Sequence, residues 1–274
     1  MNKPSLSVIF ITKNEEFHIG NAIDNVKDIA EEIFVVDSGS TDRTVEIAKA
    51  KGAQVLFHAF EGFGAQWNWA LDNCPITTKW TMKMDPDERV TDEAKDEVCK
   101  VCTESSDYVA YQVAWQIYFM GKPVKTRSHL FTRLWKTGCG RFSDVLVNEH
   151  FLPKGKMTKL HGKLIHLDSR NLGQWLMKQN NYSTQAAIAR SRGDAFSVRG
   201  RFFGNALERR MFLMHVFDHT PFRYFLIFWF YFLFTGAWRS GIDGWRWAQM
   251  RVFVHRLFEY KRVELKRIGV EAYA

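Results

Sequence analysis

Ser5-Leu6-Ser7-Val8-Ile9-Phe10-Ile11, broken off at Thr12-Lys13-Asn14-Glu15-Glu16, is the stretch on which the fold turns. Its apolar run is β-rich and continuous, the pattern of a parallel strand buried on both faces. Residues 17–30 then place Phe17, Ile19, Ala22, Ile23, Val26 and Ile29 at helical spacing. A second apolar strand, Glu32-Ile33-Phe34-Val35-Val36, ends at Asp37-Ser38-Gly39-Ser40-Thr41-Asp42. Thr41 or Asp42 caps a helix predicted from Arg43 to Lys51, Gly52 stops it, and Ala53-Gln54-Val55-Leu56-Phe57 is a third short strand. This β-α-β rhythm predicts an α/β sheet with helices on both faces. Ligands in open α/β sheets sit outside the carboxyl ends of the strands, so Thr12 to Glu15, Asp37 and Asp85 to Glu88 are expected to converge there.

The last of these groups lies in Trp80-Thr81-Met82-Lys83-Met84-Asp85-Pro86-Asp87-Glu88, a strand-like run leading straight into three carboxylates. Hard oxygen ligands at a sheet rim suit a partly hydrated Mg²⁺ or Mn²⁺ carrying a diphosphate. Asp-x-Asp also occurs in ordinary surface turns, and its weight here comes from the strands upstream. His166, ending the strand-like Lys163-Leu164-Ile165, is a candidate third metal ligand or diphosphate contact, with a structural histidine as the competing reading. Arg127, His129 and Arg133 are candidates for binding phosphate groups of an acceptor, against the plainer reading of solvated charges on a strand.

Charge divides the chain unevenly. Residues 1–169 carry 21 Lys+Arg and 23 Asp+Glu, whereas residues 170–274 carry 17 and 7. A basic C-terminal third calls for a polyanionic partner, nucleic acid or an anionic membrane. From Tyr224 to Trp238 run 15 uncharged, aromatic-dense residues flanked by Arg223 and Arg239. A transmembrane helix needs about 20 residues, so this stretch is expected to lie in the membrane interface or to re-enter it, a buried core helix being the alternative. Trp245-Arg246-Trp247, Arg251, His255-Arg256 and Lys261-Arg262 suit a following amphipathic helix, and Phe202, Phe203, Arg209, Arg210, Met211, Phe212 and Met214 suggest another. The membrane is therefore the expected surface, and nucleic acid is not. No leader precedes the first strand, which predicts a protein facing the cytoplasm on the inner membrane, peripheral or monotopic. Cys74, Cys99, Cys102 and Cys139 fit reduced thiols there, and Cys99-Lys-Val-Cys102 lacks the second pair a zinc site needs.

Thr12-Lys13-Asn14-Glu15, Val35-Val36-Asp37-Ser38-Gly39-Ser40-Thr41-Asp42, Gly62-Phe63-Gly64-Ala65-Gln66 and Met84-Asp85-Pro86-Asp87-Glu88 resemble, in order and spacing, the motifs of family 2 glycosyltransferases with the GT-A fold. Phe63-Gly64-Ala65-Gln66, Arg141-Phe142-Ser143, Val147-Asn148-Glu149 and Leu164-Ile165-His166 resemble the lipopolysaccharide inner-core β-glucosyltransferase branch. The resemblance implies a Rossmann-like mixed sheet over residues 1–169 and a helical membrane-associating region over 170–274. It implies that Asp37 accepts a hydrogen bond from the nucleotide base and that the loop of Thr12, Asn14 and Glu15 walls base and ribose. Gln66 would stand near the nucleotide, Asp85 near the ribose and metal shell, and Asp87 on the metal.

Sugar hydroxyls are poor nucleophiles when neutral, so a carboxylate base is needed opposite the leaving diphosphate. Glu149 matches the family's position for it, with Asp144 as the alternative. The branch usually has a histidine just before this glutamate; here Asn148 precedes it and His150 follows. The implied activity is inverting transfer of a hexose, glucose in this branch, from a UDP-sugar to a lipid-linked glycan, lipopolysaccharide inner core, with Mg²⁺ or Mn²⁺. A non-enzymatic adaptor at a membrane or on nucleic acid is the rival reading, and it leaves the ordered carboxylates without a purpose.

Overall fold

The computed structural model describes residues 3–127, 130–143, 149–167, 171–191, 201–203 and 220–269. They divide into two compact units, Met1–Ile117 with Ser128–Leu167, and Tyr118–Arg127 with Asp168–Ala274. The excursion of 118–127 into the second unit has no counterpart in a division at residue 169.

In the first unit β1 (Leu6–Thr12) lies between β2 (Glu32–Asp37) and β4 (Trp80–Met84), parallel to both, and β3 (Gln54–Phe57) extends the sheet beyond β2. The strand order β3-β2-β1-β4 reverses direction of growth at β1, which opens a crevice at the carboxyl ends of β1 and β4. Beyond β4 the sheet continues as β8 (Leu130–Lys136), β6 (Tyr108–Phe119), β11 (Lys156–His166) and β5 (Glu88–Val90), and β7 (Lys122–Val124) pairs with β6. Antiparallel and parallel pairs mix in this half. A ribbon of β9 (Gly140–Phe142) and β10 (Phe151–Pro153) stands apart.

The apolar run of β1 is continuous because both of its faces are covered. Leu6, Val8 and Phe10 join Ile19, Ala22, Ile23 and Val26 of α1 (Ile19–Val26), together with Ala94 and Val98 of α4 (Asp92–Thr103), in one core. Ile9 joins Phe34, Val36, and Trp67 and Ala70 of α3 (Phe63–Asn73) in the other. The first helix is shorter than its periodicity suggested, and Phe17 stands exposed before it. Neither Thr41 nor Asp42 is the N-cap of α2 (Thr44–Ala50): that position is Arg43, with no side-chain cap, and Asp42 just before it accepts the Thr44 N–H at 3.0 Å. Thr91 caps α4 by accepting the Ala94 N–H at 3.3 Å, with Asp92 and Glu93 complementing the helix dipole. A Cβ on Gly162 would come within 2.4 Å of Ala94, so this glycine lets β11 and α4 approach.

The second unit contains α5 (Leu172–Ser191), α6 (Arg223–Trp229) continued by a π-turn at Phe230–Phe234, a 3₁₀ turn at Ala237–Ser240, and α7 (Gly241–Ile268). Glu259 of α7 accepts from both Arg223 and Tyr224 of α6. Lys261 of α7 donates to Ser183 Oγ at 3.0 Å and to the Asn180 side chain at 2.8 Å on α5. Among the described residues no single helix is long and apolar enough to cross a membrane; Arg223–Phe234 and Ala237–Ile268 reach that length and composition only as a pair bent by 69°. Of the further helix expected over Phe202 to Met214, Phe202 and Phe203 lie in a turn and the rest falls outside the described residues.

Candidate functional site

The loops after β1 and β2 are stitched together by side chains. Asp37, whose register partner is Thr12, is buried and accepts four donors. Thr12 Oγ1 and Ser40 Oγ donate to Oδ1 at 3.0 and 2.5 Å, and the Gly39 and Ser40 N–H groups donate to Oδ2 at 2.9 and 2.8 Å. Gly39 supplies the positive φ of 86° that this turn requires. Asn14, itself at φ 56°, donates its N–H to Ser40 Oγ and accepts the Thr41 N–H, both at 2.8 Å. The Glu15 N–H donates to Thr44 Oγ1 at 2.7 Å. Thr12, Asn14, Glu15 and Asp37 are thus brought together at one edge. A carboxylate offers about four lone-pair positions, and all of Asp37's are met within the loop. Two of the donors are hydroxyls, which can rotate away and yield their place to a ligand N–H.

Gln66 stands beside the Asp37 loop. It sits on the first turn of α3, fully buried, with Nε2 donating to Ser38 Oγ at 3.0 Å and Oε1 bonded to His58 Nδ1 at 2.7 Å. Its amide is thus tied to the residue that follows Asp37. His58, which sequence reasoning passed over, stacks on Trp69 with ring centroids 4.5 Å apart.

The acidic motif is neutralised from β8. Met82 pairs with Leu134, which carries Arg133 to the end of β4. Arg133 is 2% exposed, and its Nη2 donates to Asp85 Oδ2 at 2.9 Å and to Glu88 Oε1 at 2.5 Å. The guanidinium lies over the Trp115 and Phe131 rings at 5.4 and 5.6 Å. Both sequence readings of Arg133, a phosphate contact and a solvated strand charge, give way to a buried counter-ion. Burial opposes ionisation of Asp85, but the Arg133 and Lys83 cations outweigh it and hold its carboxyl below the usual range. Burial pushes the Glu88 carboxyl up, and Arg133 pulls it part of the way back. Arg127 belongs to the second unit, where its backbone N–H donates to the Thr235 carbonyl at 2.5 Å. His129 lies outside the described residues.

Asp87 and His166 meet because β11 pairs with β5 in the register His166↔Glu88. Asp87 Oδ1 lies 3.6 Å from His166 Nδ1, and the imidazole stacks on Trp115 at 4.4 Å. A carboxylate oxygen and an imidazole nitrogen are donors that suit Mn²⁺ or Mg²⁺ completed by water and phosphate oxygens. The expected trio is not assembled: among the described residues no three His, Cys, Asp or Glu side chains converge, because Asp85 is turned toward Arg133. The residues present fit a metal held by Asp87 and His166, with Asp85 outside the pair.

Glu149 lies in the loop joining β9 to β10, at the mouth that Ser143 and His150 close through hydrogen bonds of 2.8 and 2.9 Å. Asn68 of α3 grips the ribbon, bonding the backbone of Phe142 at 3.0 and 2.9 Å. Glu149 Oε1 accepts from Lys83 Nζ, whose side chain is 8% exposed and lies over the Trp67 and Phe142 rings at 4.5 and 5.1 Å. Glu149 Oε2 accepts no hydrogen bond among the described residues. Lys83 was missed in the sequence, although a lone lysine inside the apolar run Trp80–Met84 signals a buried partner.

A family model for "Glycosyl transferase family 2" matches residues 7–158. An uncharacterized glycosyltransferase of Rickettsia prowazekii is 33% identical over 66% of this chain, which spans 66% of that protein's length. The lipopolysaccharide core biosynthesis glycosyltransferase LpsC of Rhizobium meliloti is 28% identical over 88% of this chain and 86% of its own. A mannosyltransferase of Pyrobaculum calidifontis, solved with GDP-Man and Mn²⁺, superposes with a TM-score of 0.53 at 14% identity, covering 96% of this chain and 88% of that one. That likeness shows the shared GT-A fold.

Proposed function

The chain belongs to glycosyl transferase family 2, and from that premise we propose that it transfers a hexose, glucose, from a UDP-sugar to the inner core of lipopolysaccharide, with inversion. The observation that carries this reading is the joining of Glu149 to Lys83, four residues before Asp87 on the same strand and its loop. A base candidate and a metal-binding carboxylate are thereby tied to one rigid element. In a single displacement the acceptor O–H proton passes to Glu149 Oε2, the oxygen forms its bond to the anomeric carbon, and the anomeric C–O bond breaks with its electron pair going to the diphosphate. A divalent metal held by Asp87 and His166 would neutralise the charge of the departing diphosphate. The Asp37 loop would hold the nucleotide, one hydroxyl giving way to the base N–H.

The likeness to LpsC supports the core acceptor; UDP and glucose rest on the motif resemblance. The experiment is UDP release from a panel of sugar nucleotides with Mn²⁺ or Mg²⁺ and deacylated lipopolysaccharide core. Turnover of one UDP-hexose, dependent on metal and acceptor, is expected; turnover only with a GDP- or ADP-sugar would overturn the donor assignment.

The same reading puts the second unit at the cytoplasmic face of the inner membrane, where an amphiphilic acceptor is concentrated. Phe222, Phe225, Phe230, Leu233, Phe234 and Trp238 are all exposed around α6 and its π-turn. Exposed aromatics beside Arg223 and Arg239 suit the headgroup zone of an anionic bilayer. Replacing Phe225, Phe230 and Phe234 together by Asp is expected to weaken binding to phosphatidylglycerol vesicles at least about 10-fold, since each buried aromatic contributes about 1.5–3 kcal/mol. Co-sedimentation measures it, and undiminished binding would remove these residues from the interface.

A further inference from the structure

We infer that Lys83 is a positioning residue for transfer, holding Glu149 by one carboxylate oxygen so that the other is left aimed at the acceptor hydroxyl. The inference rests on the reading of Glu149 as the base. Lys83 lies in β4 between β1 and β8, and its ammonium is enclosed by Trp67 of α3 and Phe142 of β9. The charged groups acting on it are Asp85 farther along its own chain, Arg133 from β8, and Glu149 from the loop joining β9 to β10. Only Glu149 bonds it, through Oε1, and Oε2 is left without a hydrogen bond among the described residues.

Stability does not account for this arrangement. Replacing a buried ion pair with apolar side chains of similar volume is often neutral or stabilising. A methionine would fill the space beside Trp67 and Phe142 without the cost of desolvating an ammonium. What the lysine adds is control of the carboxylate. A lone Glu149 beside those rings would lose this anchor, and its carboxylate would no longer be held in one orientation to receive a proton from a sugar. The ammonium fixes Oε1 in place. After proton transfer to Oε2 the Oε1 contact persists, so the pair returns to its starting geometry when the proton leaves.

The test compares full-length Lys83→Met, Lys83→Arg, Glu149→Gln and the double variant Lys83→Met/Glu149→Gln, using the UDP-hexose that turns over and deacylated core acceptor. Lys83→Met is expected to lower kcat about 10²-fold, the lower end for general-base catalysis, with donor KM within about 2-fold. Lys83→Arg should restore most of the loss, and the double variant should be no slower than Glu149→Gln alone, because the two residues act as one unit. If Lys83→Met keeps native kcat while Glu149→Gln loses it, Lys83 has no positioning role and the base assignment stands. If both keep native kcat, the base assignment itself falls. An additive loss in the double variant would also overturn the inference. Thermal unfolding checks each variant's fold, and Lys83→Gln carries the same comparison if Lys83→Met does not fold.

Discussion

Glu149→Gln is expected to lower kcat about 10²–10⁴-fold, the usual contribution of a general base, while leaving UDP affinity close to native. Glutamine keeps the shape of the side chain and can still accept from Lys83 Nζ through its carbonyl oxygen, so the ribbon and the Trp67 and Phe142 cluster stay in place. What changes is the second position, where an amide NH₂ replaces the open Oε2 and donates a hydrogen bond where a proton must be received. The loss should therefore fall on kcat and kcat/KM together and spare the donor KM, the pattern of an interaction made only in the transition state. Steady-state turnover paired with UDP titration calorimetry separates these quantities. A variant within about 3-fold of native would fall well short of any general-base contribution. Asp144, outside the described residues, would then be the next carboxylate to replace.

The strands and helices of the first half were legible because their causes are local. A continuous apolar run reports burial on both faces, so β1 and β2 could be read from periodicity. The meeting of Thr12, Asn14, Glu15 and Asp37 was legible for the same reason, since the carboxyl edge follows from strand direction. Charge pairing was not. Arg133 meets Glu88 across 45 residues and Lys83 meets Glu149 across 66, and nothing in the spacing of either says which cation faces which carboxylate. Nor did local spacing show that the Gln66 amide, on the first turn of α3, bonds Ser38 and His58. The hairpin of β6 and β7 into the second unit depends on Lys125 and Arg127 bonding Ser240 and Thr235, more than a hundred residues away.

Arg133→Met is expected to destabilise the first unit by about 3–5 kcal/mol, the cost of removing one partner from a buried ion pair. The argument lies in what remains. Glu88 is 0% exposed, and without Arg133 its Oε1 loses its cation while Oε2 keeps only the Asp85 N–H at 2.9 Å. Asp85 loses the charge that most strongly favours its ionised form. Two carboxylates then face each other in a pocket walled by Trp115 and Phe131, whose rings also lose their cation contact. Methionine fills much of the volume, so the loss is electrostatic rather than a cavity. Urea unfolding measures it, and against a typical stability of about 5–15 kcal/mol the shift in midpoint should be large. The companion variant Arg133→Met/Glu88→Gln separates charge from packing: an amide at position 88 needs no cation, so it should recover a substantial part of the loss. If it recovers none, Arg133 stabilises the unit through its stacking on Trp115 and Phe131. If it recovers stability but not turnover, Arg133 also acts on turnover by holding Asp85 through its 2.9 Å bond.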